Sequence, residues 1–201
     1  LQAIALPVAS ETDLQNNTNR IDVPVAAGIQ TVTVIPAGSA WRFNDTGVDL
    51  TSTPWRSSAY YDAFWAEGPA PLGYGDTGLA TTVGFGPDDE NKYPTCYFRR
   101  AFNLDFLPLQ LTLRVRRDDG VVVYHNGVEV ARDNLPPYPV QHSTFATTNV
   151  GGSDETNFLI FNLPLTNAVQ GQNVLAVEVH QVTSSSVDLS FDLRLDASLP
   201  Q

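Results

Sequence analysis

Between Leu109 and Arg132 the chain reads LQLTLRVRRDDGVVVYHNGVEVAR, and polar and apolar positions alternate through its first half. Leu109, Leu111, Leu113 and Val115 share one face, while Gln110, Thr112, Arg114 and Arg116 share the other. A period of two is that of a half-buried strand. Asp118-Asp119-Gly120 then predicts a turn, because Asp closes side-chain-to-backbone turns and Gly accepts positive φ. Val121–Tyr124 is a second, β-branched strand, and Asn126-Gly127 is the two-residue signal of a type I′ hairpin returning through Val128–Ala131. Three strands in succession predict a meander at the centre of an antiparallel sheet.

The same pattern divides the remainder. Residues 1–28 hold neither period and are expected to be an N-terminal extension or linker, with the folded module spanning 29–201. Gln30–Ile35 predicts an edge strand stopped by Pro36, and Ser39–Asn44 a second strand with Trp41 and Phe43 inward. Asp45–Asp89 is rich in Gly, Pro and aromatic residues but has little periodicity. It reads as a long ordered loop, with one helical turn near Ser57–Trp65. Strand pattern resumes at Thr81–Phe85 and Cys96–Leu104. After a second long loop from Asn134 it returns at Phe158–Leu163, Asn173–Val182 and the alternating run Leu189, Phe191, Leu193, Leu195. About nine strands with no helical layer predict an all-β fold, an antiparallel β-sandwich of jelly-roll type.

Composition narrows the function. The 201 residues suit one large all-β domain, and no stretch is long and apolar enough to span a bilayer. A net charge of −11 argues against nucleic acid and anionic membranes as partners, since both select a basic surface. The single cysteine, Cys96, excludes an internal disulfide and, between aromatic residues, is expected to be buried. The chain starts at Leu1 rather than Met, as expected of a processed product or an excised module.

Several ordered blocks carry a resemblance: WRFNDTG, DAFWAEGPAPLGYGD, YFRRAF, DDGVVVYHNGVEVARDN, GQNVLAVEVHQ and SSSVDLSFDLRL, together spanning roughly residues 31–196. They resemble the galactose-binding-domain-like β-sandwich modules appended to many bacterial secreted proteins. More loosely, they resemble the sugar-binding jelly-roll domain beside the catalytic barrel of some glycoside hydrolases. The resemblance implies a non-catalytic accessory module with neighbouring domains, extracellular or exported. In that wider fold a polysaccharide or glycan is often the ligand and a structural calcium is frequent. Fold alone does not assign either.

The residues themselves offer three chemistries. Hydrolysis is poorly provided for. There is no G-x-S-x-G elbow, and His125, His142 and His180 are too scattered for a metal-ligand spacing. His125 is expected on the surface beside the hairpin turn, and His180 as a half-buried hydrogen-bonding residue on the face of Glu178. Calcium takes several carboxylate, amide and carbonyl oxygens. The candidate ligands are Asp45, Asp76, Asp188 and Asp192, with Asp88-Asp89-Glu90 as a further acidic run; turn capping accounts equally well for such residues. Asp118-Asp119 is read as a structural turn, with Arg99, Arg100 and Arg117 as charge partners also open to Asp119. Sugar recognition requires exposed rings flanked by hydrogen-bonding side chains. Trp55, Tyr60, Tyr61 and Tyr138 supply the rings in loops at one end of the sandwich, and Arg132, Asn134 and His142 supply partners, with Arg56 and Gln141 nearby. Pro136, Pro137 and Pro139 would hold Tyr138 rigidly, lowering the ordering cost of binding. Trp41, Trp65 and Tyr74 are expected to staple the loops instead. Asn16-Asn17-Thr18 and Asn44-Asp45-Thr46 match the N-glycosylation pattern. The leading expectation is a glycan-binding module, and the alternative is a structural or protein-interaction domain with no small ligand.

Overall fold

The computed structural model describes residues 3–4, 18–19 and 28–200. Two short strands, β1 (Ala3–Ile4) and β2 (Thr18–Asn19), pair with each other. The rest of the linker expectation for 1–28 lies outside the described residues, as does most of the first glycosylation triplet. Twelve further strands follow. They are β3 (Ile29–Ile35), β4 (Ala40–Asn44), β5 (Ala66–Pro69), β6 (Leu72–Tyr74), β7 (Thr81–Thr82) and β8 (Thr95–Leu104). Then come β9 (Gln110–Asp118), β10 (Gly120–His125), β11 (Val128–Asp133), β12 (Leu159–Leu163), β13 (Gly171–His180) and β14 (Leu189–Pro200).

They form two facing sheets, a β-sandwich as the alternation predicts. One has the order β11-β10-β13-β8-β4-β5; the other has the order β12-β9-β14-β6-β7. Strand β3 shares one edge of β14 with β6, β3 pairing along Leu195–Pro200 and β6 along Leu189–Phe191. The inner faces meet in a core where Phe98 of β8 stacks on Phe191 of β14 at 4.4 Å and Trp41 of β4 meets Phe191 edge-on at 5.1 Å. Leu111, Leu113 and Val115 enter this core from β9, and Leu175, Val177 and Val179 enter it from β13. Cys96 is buried here as expected, and burial pushes its thiol well above the usual value.

The predicted meander is not one. β9 and β10 belong to different sheets, so Asp118–Asp119 carries the chain across the sandwich instead of folding it back. Asp119 pins that crossing. Its Oδ1 accepts from Val150 N and its Oδ2 from Val182 N, both at 2.8 Å, so it does not pair with an arginine. The Asn126-Gly127 turn is as predicted, with φ of 49° and 90°, the pair of positive values a type I′ turn demands.

The outer face of the β10 sheet is covered. Val121 and Val123 face the main core, whereas Val122 and Tyr124 face a second one with Tyr97, Ala176, Leu50, Trp55, Leu135 and Val140. All six residues of β10 are therefore buried. Both long loops lie across this face, not at one end of the sandwich. Arg99, itself buried, holds the first loop: its Nε donates to Asp62 Oδ2 at 2.8 Å, its Nη2 to Ser57 O at 3.1 Å and its Nη1 to Trp55 O. The helical turn expected near Ser57–Trp65 is instead a series of hydrogen-bonded turns, such as Ser57 N to Pro54 O and Trp65 N to Asp62 O. The only helical segments among the described residues are short 3-10 turns at Gly152–Glu155 and Leu165–Asn167.

Candidate functional site

A cleft of about 560 Å³ opens on the covered face, between the β10–β11 hairpin and the proline-rich second loop. Its lining includes Arg56, Tyr124, Glu129, Arg132, Tyr138 and Val140. Residues three apart in a regular strand point to opposite faces. Glu129 and Arg132 nevertheless meet, because the pairing of β10 with β11 shifts register between Val123 and Tyr124 and leaves Val130 as the extra residue of a bulge. Arg132 Nε and Nη2 donate to the two Glu129 carboxylate oxygens at 2.8 and 2.7 Å, a bidentate pair. Arg132 Nη1 donates to the carbonyls of Pro136 and Tyr138, at 2.8 Å for the latter, so it also shapes the loop carrying the tyrosine. The Tyr138 ring is 61 % exposed and flanked by Pro137 and Pro139. Arg56 also lines the cleft, its guanidinium 4.7 Å from the Tyr124 ring centre and 5.4 Å from that of Trp55.

Beneath the cleft floor lies a buried polar network. Tyr124 Oη donates to Glu178 Oε1 at 2.6 Å, and Glu178 Oε2 stands 3.6 Å from His180 Nε2. His180 Nδ1 is 2.7 Å from the Thr144 carbonyl, which can only accept, so this nitrogen carries hydrogen. Burial, then Glu178, pushes the Tyr124 phenol far up, and it remains the donor. Glu178 and His180 are both fully buried, so neither presents itself to a molecule in solution. His180 is thus more enclosed than expected.

The seven proposed sugar contacts separate in the structure. Arg132 and Tyr138 line the cleft together. Trp55 is fully buried, packed edge-on against Tyr97 at 4.8 Å and Tyr124 at 5.8 Å, and has no free face to offer. Tyr60 is half-buried, edge-on to Trp65 and beneath Arg99. Tyr61 is 71 % exposed but pairs with the 90 % exposed Phe64 away from the cleft. Asn134 spends its amide on the loop, donating to Thr148 O at 2.6 Å and accepting from Thr147 Oγ1 at 2.7 Å. His142 stacks on Tyr97, its Nδ1 3.0 Å from Tyr97 Oη, and burial holds its pKa below the ordinary histidine value. His125, expected on the surface, is fully buried beside Phe102 with Nε2 3.0 Å from Asn173 Oδ1. Neither Tyr124 nor Glu129 was legible as a cleft residue. A bulge has no residue signature here, and Tyr124 reads as one more strand aromatic.

A second constellation lies where β6 and β9 end and β14 begins. One carboxylate oxygen each from Asp76, Glu155 and Asp188 lies within 4.8 Å of the other two. Two oxygens bound to one calcium at its usual distance stand at most about 5 Å apart, so the spacing fits that ion. Asp118 adjoins them. It is almost fully buried, and neither carboxylate oxygen has a hydrogen-bond partner. Burial, then Asp119, Asp188 and Glu155, pushes its carboxyl up to about 9. Burial, then Asp76 and Asp119, raises Asp188 as well. Gly75 permits the approach: its φ is +82°, and an added Cβ would lie 2.3 Å from Val187 O. Arg116 supplies the nearby positive charge, its Nη2 3.9 Å from Asp76 Oδ2. The other two candidate ligands serve the backbone elsewhere. Asp45 Oδ2 accepts from Gly84 N at 2.5 Å, and Asp192 accepts from Gly38 N and from Leu193 N.

No family model and no curated protein matches the chain. Solved structures do. A Bacteroides uniformis beta-glucuronidase 2 aligns with a TM-score of 0.52 at 18 % identity, over 85 % of this chain and 18 % of that enzyme. An uncultured Clostridium sp. beta-glucuronidase aligns at 0.50 and 18 % identity, over 90 % of this chain and 31 % of the other. A Ruminococcus gnavus enzyme, whose structure holds D-glucuronic acid, aligns at 0.50 and 12 % identity over 89 % and 31 %. The chain therefore spans less than a third of these enzymes. At such identities the likeness establishes a shared β-sandwich fold.

Proposed function

We propose that this chain is a non-catalytic carbohydrate-binding module of a larger exported or extracellular protein, galactose-binding-domain-like in kind. It would hold a glycan in the cleft between the β10–β11 hairpin and the Tyr138 loop. The observation that carries this reading is the exposed Tyr138 ring, fixed between two prolines beside guanidinium and carboxylate groups. An exposed ring stacks on the apolar face of a sugar, while fixed polar groups orient its hydroxyls. The buried state of Glu178 and His180 favours binding over catalysis. The fold shared with parts of beta-glucuronidases agrees with a carbohydrate context. A calcium ion would sit among Asp76, Glu155 and Asp188, beside Asp118, where it would neutralise crowded carboxylates and tie the end of β6 to the start of β14.

Affinity electrophoresis against a panel of polysaccharides tests the assignment. Retardation is expected, and Tyr138→Ala is expected to remove it without lowering the thermal midpoint by more than a degree or two. Retention of full binding by that variant would take the site away from this cleft. The alternative, a protein-interaction domain, draws on the exposed Tyr61–Phe64 pair, whose rings lie 5.5 Å apart. Silence across the glycan panel by a normally folded protein would favour it.

A further inference from the structure

The cleft presents a positive group that no carboxylate among the described residues answers. Its lining holds two guanidiniums, Arg56 and Arg132, against one carboxylate, Glu129. Arg132 is spent: both Glu129 oxygens and the Pro136 and Tyr138 carbonyls take its donors. That pairing also neutralises Glu129. Arg56 remains. Its Nε is buried without a hydrogen-bond partner, and its contacts are the faces of Tyr124 and Trp55. Glu178 is buried, its Oε1 taken by the Tyr124 phenol and its Oε2 3.6 Å from His180 Nε2, and it makes no ion pair with Arg56.

We propose that Arg56 is the anion contact of the cleft and that the glycan bound there is acidic, a uronate whose carboxylate docks on the Arg56 guanidinium while its ring lies against Tyr138. This deepens the carbohydrate assignment and rests on it. The physical case has three parts. A guanidinium presents a planar fork that matches a carboxylate. Stacking on two rings of the second core holds that fork in place, so little freedom is lost on binding. The net charge of −11 disfavours an acidic ligand on most of the surface and makes a local excess of guanidinium selective.

The decisive probes are polygalacturonate, alginate and hyaluronate, each compared with its carboxyl-reduced form, which keeps the ring and loses the charge. The wild-type chain is expected to bind at least one acidic polymer roughly tenfold or more tightly than its reduced partner, the scale of one charge-assisted pair. That preference should shrink as salt is raised. Arg56→Gln is expected to abolish the preference, and Arg56→Lys to retain part of it because the charge survives without the fork. The thermal midpoint of each variant reports whether the loop stays docked. The wild-type comparison decides the matter even where a variant unfolds. Equal or tighter binding of the reduced forms would overturn the anion assignment and leave the carbohydrate function standing. Binding of no glycan, acidic or neutral, would overturn both.

Discussion

Replacing Trp55 with alanine separates two roles that its position in the sequence leaves open. If the indole is a sugar platform, its loss removes binding and spares stability. The structure assigns it the opposite part. Trp55 is fully buried in the second core against Tyr97 and Tyr124, with Trp65 stacked at 6.5 Å and the Arg56 guanidinium over its ring. Deleting a buried tryptophan side chain costs about 3–5 kcal/mol, from lost transfer energy and an unfilled cavity. Arg99 limits collapse into the gap by fixing the backbone at this residue and just after it, through Trp55 O and Ser57 O. At about 2–4 °C per kcal/mol for a domain of this size, the thermal midpoint should fall by roughly 10 °C. Tyr61→Ala, removing a ring 71 % exposed, should change stability by no more than about 0.5 kcal/mol. Urea titration followed by tyrosine and tryptophan fluorescence, with the slope compared between variants, measures both. A Trp55→Ala protein within 1 kcal/mol of wild type that had nonetheless lost glycan binding would refute the second core as the organiser of this face.

Two further outcomes follow from buried titratable groups and the acidic cluster. His125 is held below its ordinary pKa of 6.5, first by burial, with the Asn173 hydrogen bond opposing. A depressed folded value means the stabilisation is complete above the unfolded pKa and is lost as pH falls. Stability should therefore decline below about pH 6.5 at up to about 1.4 kcal/mol per pH unit from this group. His125→Gln should flatten that decline, and an unchanged slope between pH 5 and 7 would count against it. For the carboxylates near Asp188, calcium at a hundredfold excess over its dissociation constant should raise stability by about 2.7 kcal/mol. Chelator should reverse the rise and Asp188→Asn abolish it; a midpoint indifferent to calcium in the wild type removes the ion from the account.

The strands were legible because period two is a local property. Leu111, Leu113 and Val115 alternate with polar neighbours whichever sheet they join, so β9 is predictable from its residues. Its partner is not. Val121–Tyr124 follows a convincing turn signal, yet the chain leaves one sheet for the other at Asp118–Asp119, and that choice depends on Val150 and Val182, far away in sequence. The short strands β5 and β6 escaped notice for a related reason. Three or four residues containing Gly68 or Gly73 carry no period, and they become strands through β4 and β14 as partners.

The site was half legible on the same physical grounds. Tyr138 could be singled out because its prolines are sequence neighbours, and rigidity of that kind is written locally. Trp55 could not be placed, since an aromatic residue in a Gly- and Pro-rich loop serves equally as a stacking surface or a staple until something covers it. Here Tyr97, Tyr124 and Arg99 do so, from strands with no sequence link to the loop. The register shift at Val130 is the least predictable element and the one on which the cleft depends most. Were β11 a regular strand through these residues, Glu129 and Arg132, three apart, would face opposite ways and could not form their bidentate pair. The Glu129–Arg132 pair that lines the cleft thus depends on one surplus residue in an edge strand, where an insertion disturbs no second neighbour and can be kept at little cost.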